Sequence, residues 1–274
     1  MDTIIIIIAF VLIIALIVVI NFKQNKKEGG RRVYNEYEDA ISHILKDKNL
    51  SNFKRDDSYR AKLEHVRWNE GLIYLGLIRT EMGLSDSEIM GYCSLNDSVG
   101  SPILKQYGEL HISPTSLRYI YHTHLIFMQC KLVGMNNIDF VEVGGGYGGL
   151  CFAIHHFADR YKIRIKSYTI IDLANPLELQ KLYLKKFLNH AHLRFINAST
   201  FGKNIHTKNM FLISNYCFSE ISLENQHNYI KYLFPKVKHG FMVWNFIDPY
   251  DIGFDTTIVD EYPQTGKTNK YITF

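Results

Sequence analysis

Proline, cysteine and tryptophan are all scarce: six, four and two residues respectively in a chain of 274. So little proline excludes collagen-like and proline-rich low-complexity chains. Cys93, Cys130, Cys151 and Cys217 show no Cys-x-x-Cys spacing and no histidine in zinc-ligand register. They form neither a disulfide scaffold nor a zinc finger, and read as reduced, mostly buried thiols in a reducing compartment. A strong excess of one charge is also missing. The net charge is +4, and residues 1–32 hold +3 of it through Lys23, Lys26, Lys27, Arg31 and Arg32 against Asp2 and Glu28. The remainder is nearly neutral and lacks the concentrated basic face of a nucleic-acid binder, so nucleic acid is not an expected partner. No internal repeat is present.

What is there suits a globular protein. Hydrophobic residues make up 47% and charged residues 21%, enough apolar material for a core. Aromatics reach 14%, which predicts aromatic-lined surfaces or pockets.

Residues 4–20 form an unbroken apolar run of 17 residues, IIIIIAFVLIIALIVVI. As a helix rising about 1.5 Å per residue, it reaches roughly 26 Å, enough for a thin bilayer. A cleaved signal peptide would carry basic residues before the run and small residues at its exit. Here Met1, Asp2 and Thr3 precede it and Asn21-Phe22-Lys23 follow. The expectation is a retained single-pass anchor in residues 1–22, contacting the membrane through 4–20. The basic linker 23–32 lies after the run, which places the rest of the chain in the cytoplasm.

Beyond the linker, helical spacing runs from Val33 to about Lys46 and from about Tyr59 to Met82. Ser85-x-x-Glu88 is a capping box for a short third helix. A loop around Gly100–Gly108 precedes Ser113-Pro114, the N-cap and first residue of a helix ending near Gly134. Residues 33–134 thus read as a helical region. From 135 to 274 the pattern becomes strand–helix alternation. Strands are expected at Ile138–Val143, Ser167–Asp172, Leu193–Ile196, Met210–Ser214 and Gly240–Asn245. Helices are expected at about Tyr147–Tyr161, 176–190 and 222–234. Thr256–Glu261 and Lys270–Phe274 flank the turn-rich Pro263–Asn269 as an antiparallel hairpin. The fold class predicted is α/β, a Rossmann-like seven-stranded sheet, mostly parallel with a C-terminal antiparallel hairpin.

The strongest chemical signal is Val141-Glu142-Val143-Gly144-Gly145-Gly146-Tyr147-Gly148-Gly149. A strand running into glycines and then a helix lets a ligand approach the backbone at a helix N-terminus. Gly144-x-Gly146-x-x-Gly149 fits the dinucleotide fingerprint. Glu142-x-Gly144-x-Gly146-x-Gly148 fits the first motif of S-adenosylmethionine-dependent methyltransferases. An acid two residues before the first glycine can oppose the methyl donor's positive charge, where NAD enzymes usually carry an apolar residue. Asp172, ending the next strand, suits ribose hydroxyls in either case. Only 125 residues follow Gly149, few for a dehydrogenase's further strands and catalytic domain. The methyltransferase reading is preferred; an NAD(P)-dependent oxidoreductase and a non-catalytic membrane-anchored scaffold are the alternatives.

Three blocks, Phe140–Leu150 (FVEVGGGYGGL), Tyr168–Leu173 (YTIIDL) and Leu212–Ile221 (LISNYCFSEI), carry a family resemblance. Over roughly 138–221, with Ser116–Tyr119 extending it upstream, the chain resembles the sugar O-methyltransferases associated with surface-polysaccharide gene clusters. It departs at Ala174, where proline is expected, and at Cys217, where serine is. The resemblance implies S-adenosylmethionine as cofactor and a sugar, nucleotide-sugar or glycan hydroxyl as acceptor. Cofactor contacts are expected from Glu142, Gly144, Gly145, Gly146, Tyr147, Gly148, Asp172, Asn197, Ser199 and Asn215. Candidate catalytic residues are Glu220, His227 and His124. Glu220 is alternatively a cap for the helix starting near Ser222, and His124, on an apolar stripe, a core histidine. Asp248 and Asp251 after the fifth strand have the chemistry for a sugar diol or a divalent metal, although no metal is indicated.

Overall fold

The computed structural model describes residues 38–46 and 50–274. The expected anchor and linker lie outside them, and no helix among the described residues is long and apolar enough to cross a membrane.

Residues 38–46 are helical (α1). The long helix expected from Tyr59 to Met82 is two helices, α2 (Asp57–Leu63) and α3 (Trp68–Glu81). The break has a local cause. Glu70 folds back so that its carboxylate accepts from the Arg67 backbone N–H (2.8 Å) and side chain, which starts a new helix at Trp68. The Ser85–Glu88 box opens α4 (Asp86–Asp97) as the sequence indicated, and the helix extends over 12 residues. Part of the segment read as loop is instead a small hairpin, β1 (Lys105–Tyr107) with β2 (Leu110–Ile112), turning at Gly108 with φ +63°.

Ser113 and Pro114 begin α5 (Pro114–Leu132), which is buried at 14 of its 19 positions. The remaining elements alternate: β3 (Asn137–Val143), α6 (Gly149–Phe157), β4 (Arg164–Asp172), α7 (Ala174–Leu184), β5 (Leu193–Asn197), β6 (Met210–Asn215), α8 (Leu223–Tyr232) and β7 (Val237–Trp244). The chain closes with β8 (Thr257–Asp260) and β9 (Lys270–Thr273). All seven strands after α5 form one sheet in the order β5-β4-β3-β6-β7-β9-β8. The first five are parallel; β9 runs antiparallel to β7 and to β8.

Period-two alternation divides the sheet between two cores. Phe140, Tyr168, Ile170, Phe211 and Ile213 face α3–α7 in a core that also takes in Ile41 and Tyr59. The described part of the helical region therefore shares one core with the sheet. Val141, Val143, Ile171, Leu212 and Met242 face the other way, against Phe218, Tyr229 and Phe234. The parallel strands all end at one edge, so Gly144, Asp172, Asn197, Asn215 and Asn245 converge there. Strand order reverses at that edge between β4 and β6, on either side of β3, where α/β sheets open a crevice.

Candidate active site

The turn after β3 needs glycine for its backbone. Gly144, Gly146 and Gly148 have φ of +81°, +55° and +98°, a left-handed conformation that side chains resist. A Cβ on Gly144 would overlap Cys217, and one on Gly146 would press on Leu63 of α2 at 3.4 Å. The turn is pinned from below. The Gly145 N–H donates to Asp172 Oδ2 (3.0 Å), and Gln180 of α7 donates to both the Gly146 carbonyl (3.0 Å) and Asp172 Oδ2 (2.8 Å).

Two carboxylates serve this turn from buried positions. Burial raises Asp172 to about 6, against the lowering effect of its hydrogen bonds from Leu173, Gln180 and Gly145. Glu142 lies beneath the turn, 1% exposed, accepting a hydrogen bond from the Tyr168 hydroxyl (2.9 Å). Burial raises it to about 8, with the neighbouring Asp172 adding to the effect. The Gln180 Oε1 acceptor is buried there without a partner. Two carboxylates and a vacant amide oxygen are what a ligand carrying positive charge and sugar hydroxyls requires, so the residues present fit S-adenosylmethionine.

The other expected cofactor residues divide. Asn197 ends β5 in register with Asp172, and its Oδ1 accepts from the Ser199 N–H (2.9 Å), holding a tight turn at the edge. Tyr147, expected at the cofactor, lies in the core. Its ring is fully buried against Phe53, Tyr119 and Tyr183, its hydroxyl donates to Asn96, and the Lys54 ammonium lies 4.3 Å from its ring centre. It anchors the turn from inside, because the left-handed residues on either side direct it into the core.

Among the catalytic candidates, only Glu220 lies at the C-terminal ends of the strands. It does not cap α8, a task performed by Ser222. Instead Asn245 at the end of β7 donates to Glu220 Oε1 (2.7 Å), and Asn245 is itself held by Ser219. Burial raises Glu220 to about 7, with Lys62 of α2 opposing. His227 is exposed on α8. His124 is packed as the alternative reading of its apolar stripe had it: it contacts the Tyr161 hydroxyl (2.6 Å) and lies 3.6 Å from Glu81, midway along α5. The histidine at the strand ends is His122. Its Nδ1 lies 3.0 Å from Asn215 Nδ2, and its ring packs near Tyr216, Phe241 and Tyr271. Arg118, one turn earlier on α5, stands over the Tyr216 ring at 5.1 Å. The i, i+4 spacing of Arg118 and His122 was the available signal. Asp251 caps its own turn through Gly253, Asp248 is exposed, and no cluster of metal-ligating side chains occurs among the described residues.

No family model matches the chain. No curated protein matches it either. Solved structures do. The methyltransferase domain of bacterial CtHen1-CN is 12% identical, with 56% of this chain and 96% of that one covered and a TM-score of 0.44. TrmK of M. capricolum, solved with S-adenosylhomocysteine, is 14% identical over 57% of this chain and 66% of its own, at a TM-score of 0.37. LepI, solved with S-adenosylmethionine, is 11% identical; the chain spans 47% of it, with 55% of this chain covered and a TM-score of 0.40. Likeness of this degree carries no argument about function or fold. The mixed α/β architecture, with its seven-stranded sheet of five parallel strands and an antiparallel pair, is Rossmann-like in its own topology.

Proposed function

We propose that this protein is an S-adenosylmethionine-dependent O-methyltransferase acting on a sugar or glycan hydroxyl. The observation that carries the methyltransferase part is the pair of buried carboxylates, Glu142 and Asp172, facing one left-handed glycine turn. A dinucleotide would bring pyrophosphate to this turn and hold Glu142 in its protonated form, whereas a cation there favours the carboxylate. The sugar acceptor rests on the three sequence blocks at 140–150, 168–173 and 212–221. Anchoring by residues 4–20, with the α/β domain on the cytoplasmic side, rests on the apolar run and its basic flank.

S-adenosylmethionine, when bound, supplies a methyl carbon whose bond to sulfur breaks as the acceptor oxygen bonds to it, the electron pair leaving with sulfur. The protein's share is alignment and proton handling. Gly144 and Gly146 let the cofactor approach the backbone, and Asp172 Oδ1 retains acceptor capacity for ribose hydroxyls. Glu142 places negative charge below the turn. Glu220, raised to about 7, is matched to accept the hydroxyl proton near neutral pH. Asn245 orients it through Oε1.

Calorimetry on the full-length chain in detergent tests the cofactor: S-adenosylmethionine and its demethylated product are expected to bind, and NAD is not. Asp172→Ala is expected to lose about 100-fold in affinity, comparable to about 3 kcal/mol of charge-assisted hydrogen bonding. Tight NAD binding with no heat from either sulfur compound sinks the reading. Radiolabelled methyl transfer over a panel of nucleotide sugars and oligosaccharides tests the acceptor, and protease protection in sealed vesicles tests the orientation.

A further inference from the structure

Four polar atoms lie buried without a hydrogen-bond partner around the junction of α5 with β6: Arg118 Nε, His122 Nε2, Asn215 Oδ1 and Tyr74 Oη. Arg118 is 3% exposed and His122 1% exposed. The guanidinium donates one hydrogen bond to the Leu63 carbonyl (3.2 Å) and approaches His65 Nε2 at 3.4 Å. It has no carboxylate within 4 Å among the described residues. Two acids act on it at longer range: Glu64, between Leu63 and His65, with its Oε1 buried and unpartnered, and Glu261, which is engaged by Tyr216, Thr265 and Asn269. A buried guanidinium with so little direct pairing is costly, and an oxyanion is the ligand that relieves it.

The neighbouring pair recognises something different. If Asn215 Nδ2 donates to His122 Nδ1, then His122 presents an N–H at Nε2 and Asn215 presents a vacant carbonyl oxygen. With the amide turned over, His122 Nε2 becomes an acceptor and Asn215 an N–H donor. Either assignment offers one donor and one acceptor, the pairing a hydroxyl satisfies. Burial and then Arg118 lower the pKa of His122, so the imidazole is neutral and suited to a hydroxyl ligand.

We infer that the acceptor is an acidic sugar: its carboxylate or phosphate binds Arg118 and a hydroxyl binds the His122–Asn215 pair. The inference rests on the methyltransferase reading and adds the charge of the substrate. The two sites adjoin. Leu63, whose carbonyl meets Arg118, lies over Gly146, and Cys217, two residues after Asn215, lies against Gly144. A ligand displacing the 63–65 segment from Arg118 would therefore also uncover the glycine turn.

The test is calorimetry on the full-length chain saturated with S-adenosylhomocysteine. The probes are glucose, glucuronic acid, the uncharged methyl ester of glucuronic acid, and glucose 1-phosphate. Glucuronic acid, glucose 1-phosphate or both are expected to bind at least about tenfold tighter than glucose and the ester, the usual effect of a charge-assisted pair. Which anion prevails tells carboxylate from phosphate. Arg118→Gln is expected to bring the preferred anion to parity with glucose while affinity for S-adenosylhomocysteine stays within about threefold. The ester comparison needs no variant and stands if Arg118→Gln fails to fold. His122→Asn, which spares the guanidinium, is expected to weaken all four sugars and leave the anion preference. Saturable S-adenosylhomocysteine binding with equal affinity for the four sugars, or with none for any, overturns this inference alone. No S-adenosylhomocysteine binding overturns the methyltransferase reading, and this inference with it.

Discussion

At neutral pH the Glu142 carboxyl, raised to about 8 by burial, holds its proton until positive charge arrives above it. A cationic cofactor on the glycine turn favours the ionised form, so binding at pH 7 is expected to release up to about one proton. Calorimetry in buffers of different ionisation enthalpy reads this directly, and Glu142→Gln is expected to abolish the buffer dependence. The turn is equally specific about size. Gly144→Ala places a Cβ on Cys217 at φ +81° and is expected to cost about 2–4 kcal/mol of stability. Gly76→Ala, on the exposed side of α3 with nothing within 4 Å, is expected to stabilise by about 0.5–1 kcal/mol in the same denaturant titration. Residue placement was legible where the backbone dictated it. Gly144, Gly146, Asp172 and Glu142 sit at a strand-to-helix turn that the sequence announces. His122 and His124 were not separable by the same means, since α5 is buried on most sides and an apolar stripe cannot say which side meets the strand ends.

Elements were legible wherever a local signal started them. Ser85 and Ser113 cap α4 and α5 as their spacing predicts, and the seven strands of the main sheet stand close to their expected places. Ser85→Ala removes an acceptor at the N-terminus of α4 and its hydrogen bond to Glu88, at an expected cost of about 1 kcal/mol. Thermal melting should show this as a fall of about 2–4 °C. The break between α2 and α3 escaped the sequence because the apolar spacing continues across it. It is made by Glu70 returning to Arg67, and by α2 lying across the glycine turn, where Leu63 meets Gly146. The β1–β2 hairpin escaped because its strands are three residues each, too short to show alternation.

Over the whole molecule, the raised carboxyls set a pH dependence. The folded chain holds protons on Glu142 and Asp172 that the unfolded chain releases near their ordinary values of 4.5 and 3.8. Their stabilising contribution is complete below about 4 and is lost as pH rises, through about 6 for Asp172 and about 8 for Glu142. The melting temperature of the cofactor-free protein is therefore expected to decline between pH 5 and 8. Glu142→Gln should flatten the upper part of that decline. An unchanged slope would place the proton elsewhere.

By itself the sequence determined the alternation of strands and helices, the closing hairpin, the glycine turn and its two acids. Each is written in local spacing or in backbone conformations that only glycine adopts freely. Only the tertiary structure decided which side chains gather around the glycine turn and the strand ends. Leu63, Arg118, His122, Cys217 and Glu220 come from segments far apart in the chain. They meet because parallel strands end together at one edge and the helices of the first half pack across it, and long-range packing of that kind leaves no periodic trace in any one segment.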